Sequence, residues 1–198
     1  MFANRFTVVT DACVLVPPLV RNMLLSLAEA HLYRVSWSSR ILDEFERGFV
    51  RDVLRHKVSA PDAAARRARD AMETAFPEAL IEGHDHLEAA LEGIPDPDDR
   101  HVVAAALHAG AAQIITNNLR DFPAPVMEQL QIDVRTADDF IADTLDLPMD
   151  SSTALSAVRR MRLGLKRPEL TPAELLIRME RNGLGQTAAL LARRMELW

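Results

Sequence analysis

Short β-branched or apolar runs alternate with segments of helical period from residue 5 to about residue 145, and that alternation admits few architectures. Residues 5–10, 33–36, 80–82, 111–116 and 132–135 read as short, buried strands. Helical patterns fall between them, at about 19–30, 40–56, 60–75, 100–109 and 137–145, with Leu42, Phe45, Phe49 and Val53 forming one stripe of the second. Strands that alternate with helices predict an α/β fold with a central, mainly parallel sheet flanked by helices. Local signals punctuate the pattern: Ser38 or Ser39 as a helix cap, Ser59 opening a helix with Pro61 in its first turn, Gly110 closing another, and a capping box at 136–139. After a linker at 147–152, only helical patterns remain, at 154–165, 172–181 and 187–197. Thr171, Pro172 and Glu174 open the middle one and Asn182-Gly183 ends it. The expected organisation is therefore an α/β domain over 1–146 and a small C-terminal helical extension over 151–198.

Charge separates these two regions. Residues 1–150 carry 14 basic and 25 acidic side chains, whereas 151–198 carry 9 basic and 4 acidic. A net of −11 followed by +5 suggests two jobs, the basic segment being a candidate surface for nucleic acid or an acidic partner. Plain solvation of helices by arginine explains the same numbers. The single Cys13 rules out an intrachain disulfide framework. No apolar run approaches the roughly 20 residues of a membrane span, and Asp11 with Pro17-Pro18 interrupts the N-terminal apolar stretch. A cytoplasmic protein without a membrane partner is the expectation.

Familiar phosphate-binding loops are missing: there is no G-x-G-x-x-G, no G-x-x-x-x-G-K-[ST], and no G-x-S-x-G elbow. His84-Asp85-His86 reads as a polar loop. The acids are placed more tellingly. Asp11 directly follows the first strand, where ligands of open parallel sheets collect. Asp98 and Asp99 open the helix at 100–109, Asn118 and Asp121 follow the carboxyl end of the strand at 111–116, and Glu44 edges an apolar helical stripe. Each has an ordinary alternative: Asp11, Asp98 and Asp99 as helix caps, Asp121 as a turn residue, Glu44 as a solvated charge. Converging carboxylates would repel one another unless a cation joined them, and oxygen-only clusters suit Mg²⁺ or Mn²⁺.

The motifs Thr10-Asp11-Ala12-Cys13-Val14-Leu15, Glu44, Pro97-Asp98-Asp99-Arg100-His101 and Ile114-Ile115-Thr116-Asn117-Asn118-Leu119-Arg120-Asp121-Phe122 resemble those of PIN-domain ribonucleases. Within that group the chain is most similar to the VapC toxins of bacterial type II toxin–antitoxin systems. The resemblance spans roughly residues 5–145, and Thr171 onward is similar to a helical extension of some longer VapC-like chains. It implies a PIN-like fold and metal-dependent endonucleolytic hydrolysis of RNA, with Mg²⁺ or Mn²⁺ held by Asp11, Glu44, Asp99 and Asp121, and with Asp98 and Asn118 as further candidate ligands. Asp98 stands beside Asp99, Asp43 beside Glu44, and Asn118 where some relatives carry aspartate. The resemblance also implies a cognate antitoxin whose tail, often with an arginine, reaches the acidic pocket, and a homodimer. An acidic site repels RNA without its ions, so phosphate contacts are expected from Arg66, Arg67 and Arg69 and from Arg159, Arg160, Arg162, Lys166 and Arg167. With only ten aromatic residues, base stacking should not dominate. The competing readings are a catalytically silent PIN-fold protein that only binds RNA or an antitoxin, and a haloacid-dehalogenase-type phosphatase. The second wants another aspartate two residues after Asp11, where Cys13 stands.

Overall fold

The computed structural model describes residues 6–147, 151–166 and 168–198. Its elements are β1 (Thr7–Thr10), α1 (Ala12–Leu15), α2 (Pro18–Glu29), β2 (Arg34–Ser38), α3 (Ser39–Phe49), α4 (Pro61–Ala75), β3 (Leu80–Ile81), α5 (Arg100–His108), β4 (Gln113–Ile115), α6 (Ala124–Gln129), β5 (Asp133–Arg135), α7 (Ala137–Asp146), α8 (Ser151–Gly164), α9 (Pro172–Arg181) and α10 (Gly185–Ala192). Among the described residues no helix is long and apolar enough to cross a membrane. The chain packs as two compact units: Met1–Pro17 with Arg34–Arg135, and Pro18–Tyr33 with Thr136–Trp198.

The first unit is built on a five-stranded, all-parallel sheet of order β3-β2-β1-β4-β5. Its strands are apolar on both sides, as sheets covered on both faces require, with Val8, Val9, Val35, Trp37, Ile114 and Ile115 all buried. The chain lays strands outward from β1 through β2 to β3, then returns to place β4 against the other edge of β1. That reversal makes the gap between the carboxyl ends of β1 and β4 a topological switch point, where open α/β sheets bind their ligands. Ser38 caps α3 by accepting a hydrogen bond from the Ile41 amide at 3.3 Å, and Ile41, Leu42 and Phe45 bury the helix's apolar stripe. Gly48 lets α1 approach α3, because a Cβ there would lie 2.7 Å from a Val16 methyl.

The helix expected over 40–56 instead ends at Phe49 and widens into a π-helical turn, Val50–Leu54, closed by the Arg55 amide on the Val50 carbonyl at 2.9 Å. The extra residue in that turn rotates Leu54 inward in place of Val53, leaving Arg51 and Asp52 paired in solvent at 2.7 Å. Ser59 does not open α4; Ala60 stands at its N-cap, and Pro61 at the first position has no amide to satisfy.

In the second unit, α2 and α7 pack with α8, and α10 packs on α7 and α9. The C-terminal helices thus share their unit with α2 and α7, which bury Met23, Leu24, Leu27, Ile141 and Leu145 there. The ring of Tyr33 meets Phe140 edge-on at 4.8 Å, and its hydroxyl donates to the Leu24 carbonyl at 2.7 Å. Thr136 caps α7 and Thr171 forms the expected capping box with Glu174. The N-terminus of α10 has only Leu184 as its own cap, so Asp138 of α7 accepts the Gln186 and Thr187 amides at 2.8 and 2.9 Å. Arg194 closes the other end of α7, donating to the Leu145 carbonyl at 3.1 Å and pairing with Asp146 at 2.6 Å. The pattern expected as one helix over 187–197 is α10 plus a 3₁₀ turn, Met195–Leu197, that brings the Trp198 indole onto the Leu191 carbonyl at 3.0 Å. Residue 5 of the first strand, 148–150 of the linker and Arg167 lie outside the described residues.

Candidate active site

Asp11 leaves the sheet with its amide still bonded to the Ile115 carbonyl at 2.9 Å, which fixes it at the switch point. It stands at the N-cap of α1 in extended conformation, yet its side chain caps nothing. Its Oδ2 accepts a hydrogen bond from the Thr116 hydroxyl at 2.6 Å and from the Cys13 thiol at 3.1 Å, while 6% of the residue remains exposed. Helix capping therefore does not account for Asp11. Thr116, the first residue beyond β4, is fully buried and its Oγ1 also accepts the Asn118 amide at 3.0 Å. Burial and the neighbouring Asp11 charge push the Cys13 thiol up to about 12, so it stays protonated and serves as a donor. Replacing Thr116 by valine keeps the shape, but strips Asp11 of a donor and orphans the Asn118 amide. We expect a loss of about 1–3 kcal/mol in chemical denaturation and roughly 10–100-fold weaker divalent-ion binding by titration.

Asp99 ends the 3₁₀ turn Pro97–Asp99 and precedes α5 without capping it; Asp96 does the local capping, accepting the Asp98 amide at 2.9 Å. Burial, then the charges of Asp11, Asp121 and Asp96, lift the Asp99 carboxyl to about 6, with His101 opposing. Asp11, Asp99 and Asp121 thus share one electrostatic field. A carboxyl whose pKa is raised on folding binds its proton more tightly in the native state. Native stability therefore falls as pH climbs from about 4 to about 6, and the loss is complete above that. Because the group is partly solvated, Asp99→Asn should recover only about 1 kcal/mol at pH 7 without metal, roughly 2–4 °C in melting temperature. Melts in chelator should show that gap at pH 7 and none at pH 4.

Glu44 leans inward from α3, its Oε1 3.3 Å from Nε2 of His101 and 3.8 Å from each of Arg40 and Arg47. Asp43 turns away, paired with Arg69 at 2.6 Å, which separates the two adjacent acids. Asp98 is drawn outward to Arg40 at 3.1 Å with 89% of its side chain exposed, apart from the Asp11–Asp99–Asp121 field. Asp121 is half-buried on the 3₁₀ turn Leu119–Asp121, its amide donating to the Asn118 carbonyl at 3.0 Å, and Asn118 is exposed with a side chain that caps nothing. His101 went unnoticed as a site residue in the sequence. It is 1% exposed, and neither ring nitrogen completes an aligned hydrogen bond among the described residues, Nε2 facing Glu44 Oε1 out of line. Its signal was its place two residues after Asp99 on the buried face of α5.

Among the described residues no three His, Cys, Asp or Glu side chains stand close enough to close a metal cage. A small hard cation needs no such cage, since one or two carboxylates, water and substrate phosphate complete its shell. The oxygen-only set of Asp11, Asp99 and Asp121, and the repulsion that lifts Asp99, fit an ion of that kind. His84 is buried while His86 is exposed, its ring nitrogen 2.9 Å from the Gly83 carbonyl.

The expected phosphate-binding arginines divide. Arg66 and Arg67 on α4 are exposed, as are Arg159 and Arg160 on α8. Arg69 is engaged: it binds Asp43, Glu46 and Glu73 at 2.6, 3.0 and 3.1 Å and ties α4 to α3. Arg162 donates to the Leu170 carbonyl at 3.1 Å, closing the loop after α8.

The family model for the PIN domain matches residues 7–120, and the model for the VapC50 C-terminal domain matches residues 137–193. A protein of Mycobacterium tuberculosis (strain ATCC 25618 / H37Rv) described as "Putative ribonuclease VapC50" is 36% identical over 92 residues, covering 46% of this chain and 51% of that protein. The chain thus spans about half the length of the curated relative it matches. No solved structure matches it.

Proposed function

The chain belongs to the PIN-domain family, and from that premise we propose that it is a metal-dependent endoribonuclease, the VapC-like toxin of a toxin–antitoxin pair. The observation that carries the reading is the buried carboxylate of Asp11 at the end of β1, held by Thr116 just beyond the end of β4 at the switch point of the sheet. The similarity to a protein described as a ribonuclease supports it. Asp11, Asp99 and Asp121 would hold Mg²⁺ or Mn²⁺, with Glu44 beside them. The bound ion supplies charge neutralisation on the scissile phosphate and orientation of an attacking water.

This chain's own residues prepare that chemistry. Thr116 and Cys13 fix Asp11 through two donated hydrogen bonds, so its free carboxylate oxygen keeps one direction. Besides holding the ion, one of these acids would relay the proton of the attacking water. Arg66 and Arg67, and Arg159 and Arg160 of the basic C-terminal segment, are the exposed cations for the RNA backbone. In the same reading the antitoxin partner inserts a guanidinium among the carboxylates, matching their geometry in bidentate fashion. The setting is cytoplasmic, where RNA is met.

Purified protein should shorten RNA with Mn²⁺ or Mg²⁺ and stop when the ion is chelated, the products being read on a denaturing gel. RNA that is retarded but never shortened, at any divalent-ion concentration, would sink the enzyme reading and favour a binding module.

A further inference from the structure

We propose that Arg40 is a positioning residue of the acidic site, pinning the turn that carries Asp99 to the helix that carries Glu44; this rests on the nuclease reading above. Arg40 lies one turn before Glu44 on α3, with Nε 3.8 Å from Glu44 Oε1. Its fork reaches two other segments. Nη1 donates to Glu88 Oε2 at 3.4 Å, in the 3₁₀ turn Asp85–Ala90. Nη2 donates to Asp98 twice, to Oδ1 at 3.1 Å and to the backbone carbonyl at 3.4 Å.

The carbonyl contact matters most. The Asp98 carbonyl and the Asp99 amide belong to one planar peptide unit, and the Asp99 amide is itself bonded to the Asp96 carbonyl at 3.1 Å. Arg40 and Asp96 therefore grip opposite edges of the peptide plane from which the Asp99 side chain departs. A five-donor planar guanidinium can hold a helix acid, a loop acid and a backbone carbonyl at once, which a lysine cannot. Among the described residues Arg40 forms its ion pairs with Glu44, Glu88 and Asp98. Its task is thus to place the turn, and the ion is left to the acids already named.

Two other roles for Arg40 give different outcomes. If it were only a counter-charge, removing it would make the site more negative and tighten divalent cations. If it were a phosphate contact, removing it would leave Mn²⁺ affinity alone, raise the KM for RNA and flatten the salt dependence. As a positioning residue, its loss should weaken Mn²⁺.

The test is Mn²⁺ titration of the full-length protein without RNA, followed by electron paramagnetic resonance. Arg40→Ala should bind Mn²⁺ about 10-fold more weakly, and Arg40→Lys should fall between it and wild type. Asp98→Asn, at a side chain too exposed to threaten folding, should lose about 3-fold because the carbonyl bond survives. The double variant should be no weaker than Arg40→Ala, since one clamp cannot be broken twice. Amide exchange at 98–101 should quicken in Arg40→Ala. Unchanged or tighter Mn²⁺ binding in Arg40→Ala, or additive losses in the double variant, would overturn the proposal. A wild-type protein that binds Mn²⁺ but leaves RNA intact removes the nuclease reading and leaves the positioning role standing. One that binds no Mn²⁺ overturns both.

Discussion

On the proposed nuclease reading, Asp11→Asn and Asp99→Asn should each lower metal-dependent RNA cleavage by roughly 100-fold or more, while metal-free protein should stay as stable as wild type or gain. The two readouts move apart because each substitution removes an oxygen ligand and also a negative charge that its neighbours resist. Asp11 keeps its shape and its two donors' positions as asparagine, so the local fold has little to lose. As asparagine, residue 99 leaves behind the burial cost, and with it the repulsion from Asp11 and Asp121, that lift its carboxyl to about 6. Were these residues helix caps, asparagine would serve about as well and neither property would change. Asp62→Asn, at the exposed start of α4, is the control. Cleavage at the wild-type rate in both site variants, measured with saturating Mn²⁺, would rule out the acid cluster as the reaction centre.

Ending the chain at Asp150 should have the second large effect: loss of soluble, cooperatively folding protein. Removing 151–198 strips α2 and α7 of α8 and α10, the helices they pack against within the same unit. Met23, Leu24, Leu27, Ile141 and Leu145 are fully buried there, and each large apolar side chain contributes about 1.5–3 kcal/mol on burial. Even a few of them exhaust a native stability of roughly 5–15 kcal/mol. A milder version is Met179→Ala, at a buried position on α9, which should cost about 2–5 kcal/mol in denaturant melts. A monomeric truncated protein with a sharp melting transition would show that the C-terminal helices are an appendage after all.

Much of this architecture was legible because its signals are local. Ser38, Thr136 and the Thr171–Glu174 box cap the helices they were expected to cap, and Gly110 ends α5 with φ +58°. Four- and six-residue helices such as α1 and α6 span too little of a helical period to announce themselves. The π-helical turn after Phe49 escaped for a related reason, since its one-residue shift exchanges Val53 for Leu54 and both are apolar. The candidate acids were read from local positions alone: Asp11 after β1, Asp121 in the segment after β4 and Asp99 in the turn before α5. What the sequence could not disclose were partners distant along the chain. Arg69 looked free for phosphate until Asp43, 26 positions away, reached it, and Asp98 looked equivalent to Asp99 until Arg40 drew it aside.

The bond from Thr116 to Asp11 joins residues 105 positions apart. Loops of that length close slowly, and contacts so remote in sequence form late in folding. During synthesis Asp11 is made first and waits through β2 and β3 for β4 to be laid beside β1. A ribosome-bound chain that stops short of residue 116 carries its first carboxylate without the Thr116 donor. On the proposed nuclease reading, such a fragment would lack the aligned acid that the ion needs, and activity would wait for β4 to be laid beside β1.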